Sequence, residues 1–301
     1  MTFFWALTLS ASADGFSIVL DPAFPEPGEA FTASIGNRDF STPQKSVTWF
    51  VNGHEETGNA GTGEVALTAS DAPMTLTARI ALASGAVLEQ KYTVAPVRVD
   101  LIAEPDSSVP PFYRGHPLPS SGTPIRVSAL VFKNGGRLAS GLSYIWRVNG
   151  VIQKGGAGYG LDAITVRSNF EKSMRVNVEV LNASQQKIAE DTMEIPIVDP
   201  EVVFYERNPL RGLSLAALSD PFTAVGTEMV LRAETYFMDA ELPSADLLSQ
   251  WTLNGKEVAP REDPREITIE RGARTDARVV FSIHNLRQLL QSAKADLTIR
   301  F

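Results

Sequence analysis

A pentapeptide that opens on Trp and closes on Asn-Gly occurs three times along this chain. Trp49-Phe50-Val51-Asn52-Gly53 returns as Trp146-Arg147-Val148-Asn149-Gly150, and again as Trp251-Thr252-Leu253-Asn254-Gly255. The copies lie about a hundred residues apart, which is the length of one β-sandwich domain. Asn-Gly between two alternating runs is a strong hairpin signal, because both residues accept the positive φ of a type I′ turn. A Trp just before that hairpin places a large apolar side chain at mid-core. The pattern therefore assigns Trp49, Trp146 and Trp251 to three cores. It assigns Asn52, Gly53, Asn149, Gly150, Asn254 and Gly255 to three turns. A sugar-stacking role for the Trp residues is the alternative, and their fixed place before the hairpin favours the core.

Short alternating runs broken by Gly, Pro, Asn and Asp surround each copy. Together they predict an all-β chain of three tandem immunoglobulin-like sandwiches, elongated, with limits at 14–96, 97–199 and 200–301. The linkers Val94-Ala95-Pro96-Val97 and Ile197-Val198-Asp199-Pro200-Glu201 are short, and proline fixes φ in both. A semi-rigid rod is expected. Helical spacing is sparse. Leu286, Leu289, Leu290 and Ala293 fall at i, i+3, i+4 and i+7, so one short helix is predicted at 285–292 in the third domain. Residues 213–218 suggest a further helical turn.

The chain contains no cysteine, which excludes disulfides, thiolate catalysis and cysteine metal sites. Each core must close by apolar packing alone. A formal charge of −8, with no basic run, argues against a nucleic-acid partner. No segment reaches the roughly 18 consecutive apolar residues of a membrane span, so no integral span is expected in the mature chain. Residues 1–13 are apolar and end in Ala11-Ser12-Ala13, a small-residue pattern typical of a signal-peptidase site. They are read as a truncated export signal, the alternative being an ordinary first strand.

The opening Leu20-Asp21-Pro22, Pro25-Glu26-Pro27-Gly28-Glu29, then Trp and Asn-Gly, resembles the start of bacterial immunoglobulin-like and PKD-like extracellular modules. Pro110-Pro111-Phe112-Tyr113-Arg114-Gly115, Phe204-Tyr205-Glu206-Arg207-Asn208-Pro209-Leu210, Trp251 to Gly255 and the Leu286 to Leu290 segment extend the likeness. Over nearly the whole length the chain resembles uncharacterised exported three-domain proteins of the candidate phyla radiation bacteria (Patescibacteria). The resemblance implies an exported, immunoglobulin-like protein with no assigned catalytic residues.

Catalytic patterns are missing from the sequence. His54, His116 and His284 fall one per domain, without the neighbours of a nucleophile elbow or a zinc site. The Gly-rich stretch 155–160 sits between two strands and not before a helix, so it reads as a flexible connection and not a phosphate loop. Asp100, Glu104, Asp106, Asp199 and Glu201 flank the junctions. They lack the spacing of a calcium loop and read as solvated acidic loops, with a junction calcium as the alternative. No metal and no cofactor is assigned.

A second repeat is less obvious. Phe112-Tyr113 precedes Pro117-Leu118 at the spacing by which Phe204-Tyr205 precedes Pro209-Leu210. Aromatic-Pro clusters plug gaps between domains, or form apolar contact surfaces. If one surface recognises a partner, it is 110–119, where Phe112, Tyr113 and Arg114 are hot-spot residue types. The binding candidates are thus Phe112, Tyr113, Arg114, Pro117, Phe204, Tyr205 and Pro209. The resulting expectation is an extracellular or cell-surface protein, structural or protein-binding and not an enzyme, perched on an envelope or pilus-associated assembly. The alternatives are a carbohydrate-binding or accessory arm of a secreted hydrolase, and a calcium-rigidified adhesin.

Overall fold

Period-two burial runs through nearly every strand of the structure, a computed structural model that describes residues 16–36, 44–57, 63–208, 210–272 and 276–301. The expected export segment 1–13 and Pro209 lie outside these residues. Alternation puts one side chain in two against a core, which is what a sheet buried on one face requires. The chain builds three immunoglobulin-like sandwiches, antiparallel except where β19 pairs with β26, so the expected all-β fold class holds.

The first domain contains β1 (Ser17–Asp21), β2 (Ala30–Gly36), β3 (Gln44–Val51), β4 (His54–Glu55), β5 (Glu64–Thr68), β6 (Met74–Leu82) and β7 (Val87–Val94). One sheet has the order β1-β2-β5 and the other β4-β3-β6-β7. Phe31, Val47, Trp49, Leu76 and Ile80 are buried between them.

The second domain repeats the plan with β8 (Val97–Pro105), β9 (Ser107–Ser108), β10 (Pro124–Lys133), β11 (Gly136–Arg137), β12 (Ser143–Val148), β13 (Val151–Tyr159), β14 (Ala163–Arg167), β15 (Ser173–Leu181) and β16 (Lys187–Pro196). Strand β10 lies between β8 and β14, and faces a sheet of order β13-β12-β15-β16. The Gly-rich stretch is a correction to the sequence reading: 155–159 belongs to strand β13 and is no flexible connection. Its register against β12 shifts between Ile145 and Arg147. At that bulge a Cβ on Gly156 would sit 3.2 Å from the Cβ of Trp146 and 2.9 Å from that of Gln153. Glycine there lets the strand close over the buried Trp.

The third domain comprises β17 (Glu201–Asn208), β18 (Gly212–Ala217), β19 (Phe222–Thr223), β20 (Glu228–Tyr236), β21 (Met238–Asp239), a 3-10 turn (Ser244–Asp246), β22 (Leu247–Leu253), β23 (Lys256–Val258), β24 (Glu266–Glu270), β25 (Asp276–Asn285) and β26 (Ser292–Arg300). Its sheets run β18-β17-β20-β24 and β19-β26-β25-β22-β23. Two helical expectations are overturned here. Residues 213–217 lie in strand β18, paired with β17, and Leu218 donates its N–H to the Phe204 carbonyl. The stretch 285–292 is a turn and not a helix, flanked by the ends of β25 and β26. Asn285 Oδ1 accepts the backbone N–H groups of Arg287 and Gln288, an Asx turn that competes with helical bonding. Leu286, Leu289 and Leu290 are exposed, so their helical spacing faces no core.

Trp49, Trp146 and Trp251 are each at most 1% exposed. Trp146 Nε1 donates to the Leu161 carbonyl at 2.8 Å, and Trp251 Nε1 to the Pro264 carbonyl at 2.9 Å. Trp251 also packs on Phe281 and Phe204. Removing such a side chain leaves a large cavity and costs about 3–5 kcal/mol. The six residues of the Asn-Gly turns all have positive φ, between 49° and 85°. Each Asn does more than turn. Asn52, Asn149 and Asn254 accept through Oδ1 from the backbone N–H of Thr75, Arg175 and Arg278, and donate their own N–H to the same residue's carbonyl. The side-chain amide thus acts as one more rung between the Trp strand and its neighbour.

Candidate functional site at the junction of the second and third domains

The sheet β18-β17-β20-β24 buries one face in its own core, through Phe204, Met229, Leu231 and Ala233. Alternation turns Val203 and Tyr205 on β17, and Arg232, Glu234 and Tyr236 on β20, to the other face. On a free sandwich that face would be wet. Here the loop that leaves β9 of the second domain covers part of it. Phe112 meets Tyr205 edge to face at 5.2 Å, and Tyr113 meets Tyr236 at 5.6 Å and Phe237 at 5.9 Å. Val109, Leu118, Val198 and Leu213 complete this apolar cluster. The Tyr205 and Tyr236 hydroxyls lie 2.6 Å apart. Burial raises the Tyr236 pKa, and the bond to Tyr205 adds to the effect.

Main-chain pairing crosses the same junction. Strand β9 pairs with β21, and the N–H groups of Phe237 and Ala240 donate to the carbonyls of Ser108 and Asp106 at 2.8 and 2.9 Å. Phe237 takes φ of 64° where the chain leaves β20 for this ladder. Left-handed backbone is costly for a bulky side chain, and the packed aromatic ring and the paired N–H hold it there.

A buried polar clasp stands beside the aromatic cluster. Gln291, fully buried, donates through Nε2 to the Ser121 carbonyl at 2.9 Å and to Thr123 Oγ1 at 3.2 Å. Its Oε1 accepts from Asn285 Nδ2 at 2.9 Å. On the other side Ser107 Oγ donates to the Leu118 carbonyl and the Val198 N–H to the Pro119 carbonyl. Gly122 takes φ of 84°, and a Cβ there would lie 2.3 Å from Gln288 Nε2, so a side chain would be strained and would have to displace Gln288. Buried polar groups carry a desolvation cost unless paired, and Gln291 finds its partners Ser121 and Thr123 across the junction.

Charges cover the rest of the outer face. Arg232 pairs with Glu234, Asp263 and Glu266, Arg265 with Glu234 and Asp263, and Arg207 with Glu266. Burial alone lowers the Arg232 pKa, but its bonds to Glu234 and Glu266 outweigh that and raise it. Burial pulls the Asp263 pKa up, yet the Arg265 N–H and Arg232 bring it below the usual carboxylate range. A cleft of about 500 Å³ borders this network, lined by Arg207, Val258, Arg261 and Glu266 among others.

The sequence candidates separate in space. Phe112, Tyr113 and Tyr205 come together in the junction cluster. Phe204 points the opposite way, into the third core beside Trp251 at 5.9 Å. Arg114 is exposed and Pro117 half-buried. The two Phe-Tyr segments are therefore not equivalent positions: one is a loop, the other strand β17, and they pack on each other. Tyr236, Phe237, Asn285 and Gln291 were not read as site residues from sequence; Tyr236, Phe237 and Gln291 meet partners more than a hundred residues away, and Asn285 bonds locally. His54, His116 and His284 are exposed, and among the described residues no group of three or more His, Cys, Asp or Glu could hold a metal ion. No described helix is long and apolar enough to cross a membrane. What the junction does chemically is fasten two sandwiches together.

No protein-family profile and no curated protein sequence matches the chain. Several solved structures match the chain at low identity. The fibronectin(III)-like modules of Clostridium thermocellum CbhA share 13% identity over 60% of this chain and 94% of theirs, with a TM-score of 0.30. Three N-terminal domains of the bacteriophage RB49 highly immunogenic outer capsid protein share 12% over 95% of this chain and 98% of theirs, at 0.27. The central fibronectin-III array of RIM-binding protein shares 11% over 97% and 99%, at 0.31.

Proposed function

We propose that this chain is a non-enzymatic structural or protein-binding component of a bacterial cell surface, exported and associated with an envelope or pilus-type assembly. One observation carries the reading: the second and third sandwiches are joined by a strand ladder, an aromatic plug and a buried polar clasp. Such a joint transmits position and force between modules and needs no reacting group. The segment 110–119 supports the binding half of the proposal. Phe112 and Tyr113 anchor it from below, so Arg114 is presented from a fixed base, and preorganised presentation of Arg lowers the entropic cost of binding. The buried Trp residues speak against sugar stacking by Trp49, Trp146 or Trp251.

Crosslinking on intact cells of the source organism, followed by mass spectrometry, tests this. Crosslinks from the 110–119 region to envelope or surface proteins are expected. Recovery of cytosolic neighbours only would sink the export claim and the surface role with it.

A further inference from the structure

A fourth Asn-Gly pair stands outside the Trp motif. Asn134-Gly135 joins β10 to β11. Its backbone matches the other three turns: Asn134 has φ of 52° and Gly135 of 74°, against 49° to 51° and 79° to 85° in the repeated motif. All four Asn residues are exposed. One difference separates them. Asn52, Asn149 and Asn254 are each held twice by the neighbouring strand, through Oδ1 at 2.8 to 2.9 Å and through their own N–H at 2.8 Å. Among the described residues, Asn134 has no hydrogen-bond partner for its carboxamide or its N–H.

We propose that Asn134 is a site of spontaneous modification, converting in the folded protein to aspartate and isoaspartate while the three held asparagines resist. The Gly135 backbone nitrogen attacks Asn134 Cγ. A bond forms between that nitrogen and Cγ, and the bond from Cγ to Nδ2 breaks. The glycine proton passes through solvent to the leaving nitrogen, which departs as ammonia. Water then opens the succinimide ring at either carbonyl, giving aspartate or isoaspartate. Glycine leaves the attacking nitrogen uncrowded, so all four pairs share the intrinsic chemistry. What differs is access to the reactive geometry. Nitrogen and Cγ must come within about 3–3.5 Å along an aligned path, which requires both carboxamide and turn to rotate. In a held turn each rotation breaks a hydrogen bond, and the net worth of one bond corresponds to about a fivefold factor, of two to about 25-fold. Asn134 has neither bond to break. Exposed Lys133 and Arg137 flank this turn, and Lys133 pairs with Val97, the first residue of β8 after the linker. Modification therefore adds a negative charge, and in isoaspartate a backbone methylene, where the second domain receives the chain from the first.

The full chain, incubated in mildly alkaline buffer both folded and in concentrated urea, provides the test. Peptide mapping by mass spectrometry follows the four Asn-Gly pairs over time. The urea sample gives each pair its intrinsic rate, so the ratio of unfolded to folded rate isolates the effect of the fold. That ratio is expected near unity for Asn134 and roughly 5- to 25-fold for Asn52, Asn149 and Asn254. Asn134→Gly keeps the left-handed turn and lacks the carboxamide. The fast isoaspartate signal of the folded chain, read by enzymatic isoaspartyl methylation, should vanish in that variant. Equal protection at all four pairs, or an isoaspartate signal unchanged by Asn134→Gly, would each overturn the assignment.

Discussion

Asn149 shows how much one residue does in this fold. Its positive φ turns the chain, and its Oδ1 accepts the Arg175 N–H at 2.9 Å. Glycine keeps the first property and loses the second; alanine loses both. We expect Asn149→Gly to cost about 1 kcal/mol, the net value of one hydrogen bond. Asn149→Ala should cost about 2 kcal/mol, because left-handed backbone adds its own penalty. Urea unfolding followed by Trp fluorescence gives the ranking, and an alanine variant as stable as the glycine variant would refute it. The turn was readable from sequence because Asn-Gly states its φ requirement locally. The bond to Arg175 was not, since its partner is 26 residues away. Gln291 illustrates the same limit. Leu286, Leu289 and Leu290 gave a helical spacing, but the Asx turn of Asn285 and the pull of Ser121 from another domain decide the local structure.

Strand β20 carries the next scale. Its inward side is ordinary core, and such alternation is what made the all-β class legible. Its outward side holds Arg232, 15% exposed, and Glu234, 6% exposed, in a network whose acids come from β20 itself, from β24 and from the preceding loop. No local pattern announces that pairing, because a charged residue at an outward strand position normally reads as solvated. Replacing Arg232 by Met leaves Glu234 desolvated and short of a partner. Breaking a buried pair in this way should cost roughly 3 kcal/mol, reduced by the partial exposure of the cluster. Asp263 adds a pH signature. Its pKa is depressed in the folded state, so its contribution is present above the unfolded carboxylate value and lost as pH falls through the folded one. The thermal transition that includes the third domain should therefore shift down in acid in the wild type, with a smaller acid shift in Arg232→Met. Equal acid shifts in the two proteins would show that the network does not set the dependence.

At the scale of the molecule, cooperativity follows from what crosses each junction. Sandwich domains with separate cores unfold separately unless the interface between them is itself well packed. The second junction removes apolar rings and buried amides from water on both sides at once, so unfolding either partner exposes Tyr236, Gln291 and Thr123 without their mates. Among the described residues, the first junction shows the Lys187 contact with the Phe24 ring in the turn after β1 and no strand pairing. Calorimetry of the full chain should thus show two transitions and not three, one for the first domain and one shared by the second and third. Tyr113→Ala combined with Gln291→Ala removes the ring contacts to Tyr236 and Phe237 and the bonds to Ser121 and Thr123 while touching neither sandwich core. That variant should split the shared transition into two and leave the first domain's unchanged. Three separate transitions already in the wild type would mean that the junction holds the domains in contact without coupling their stability, and the rigid-unit reading would fail.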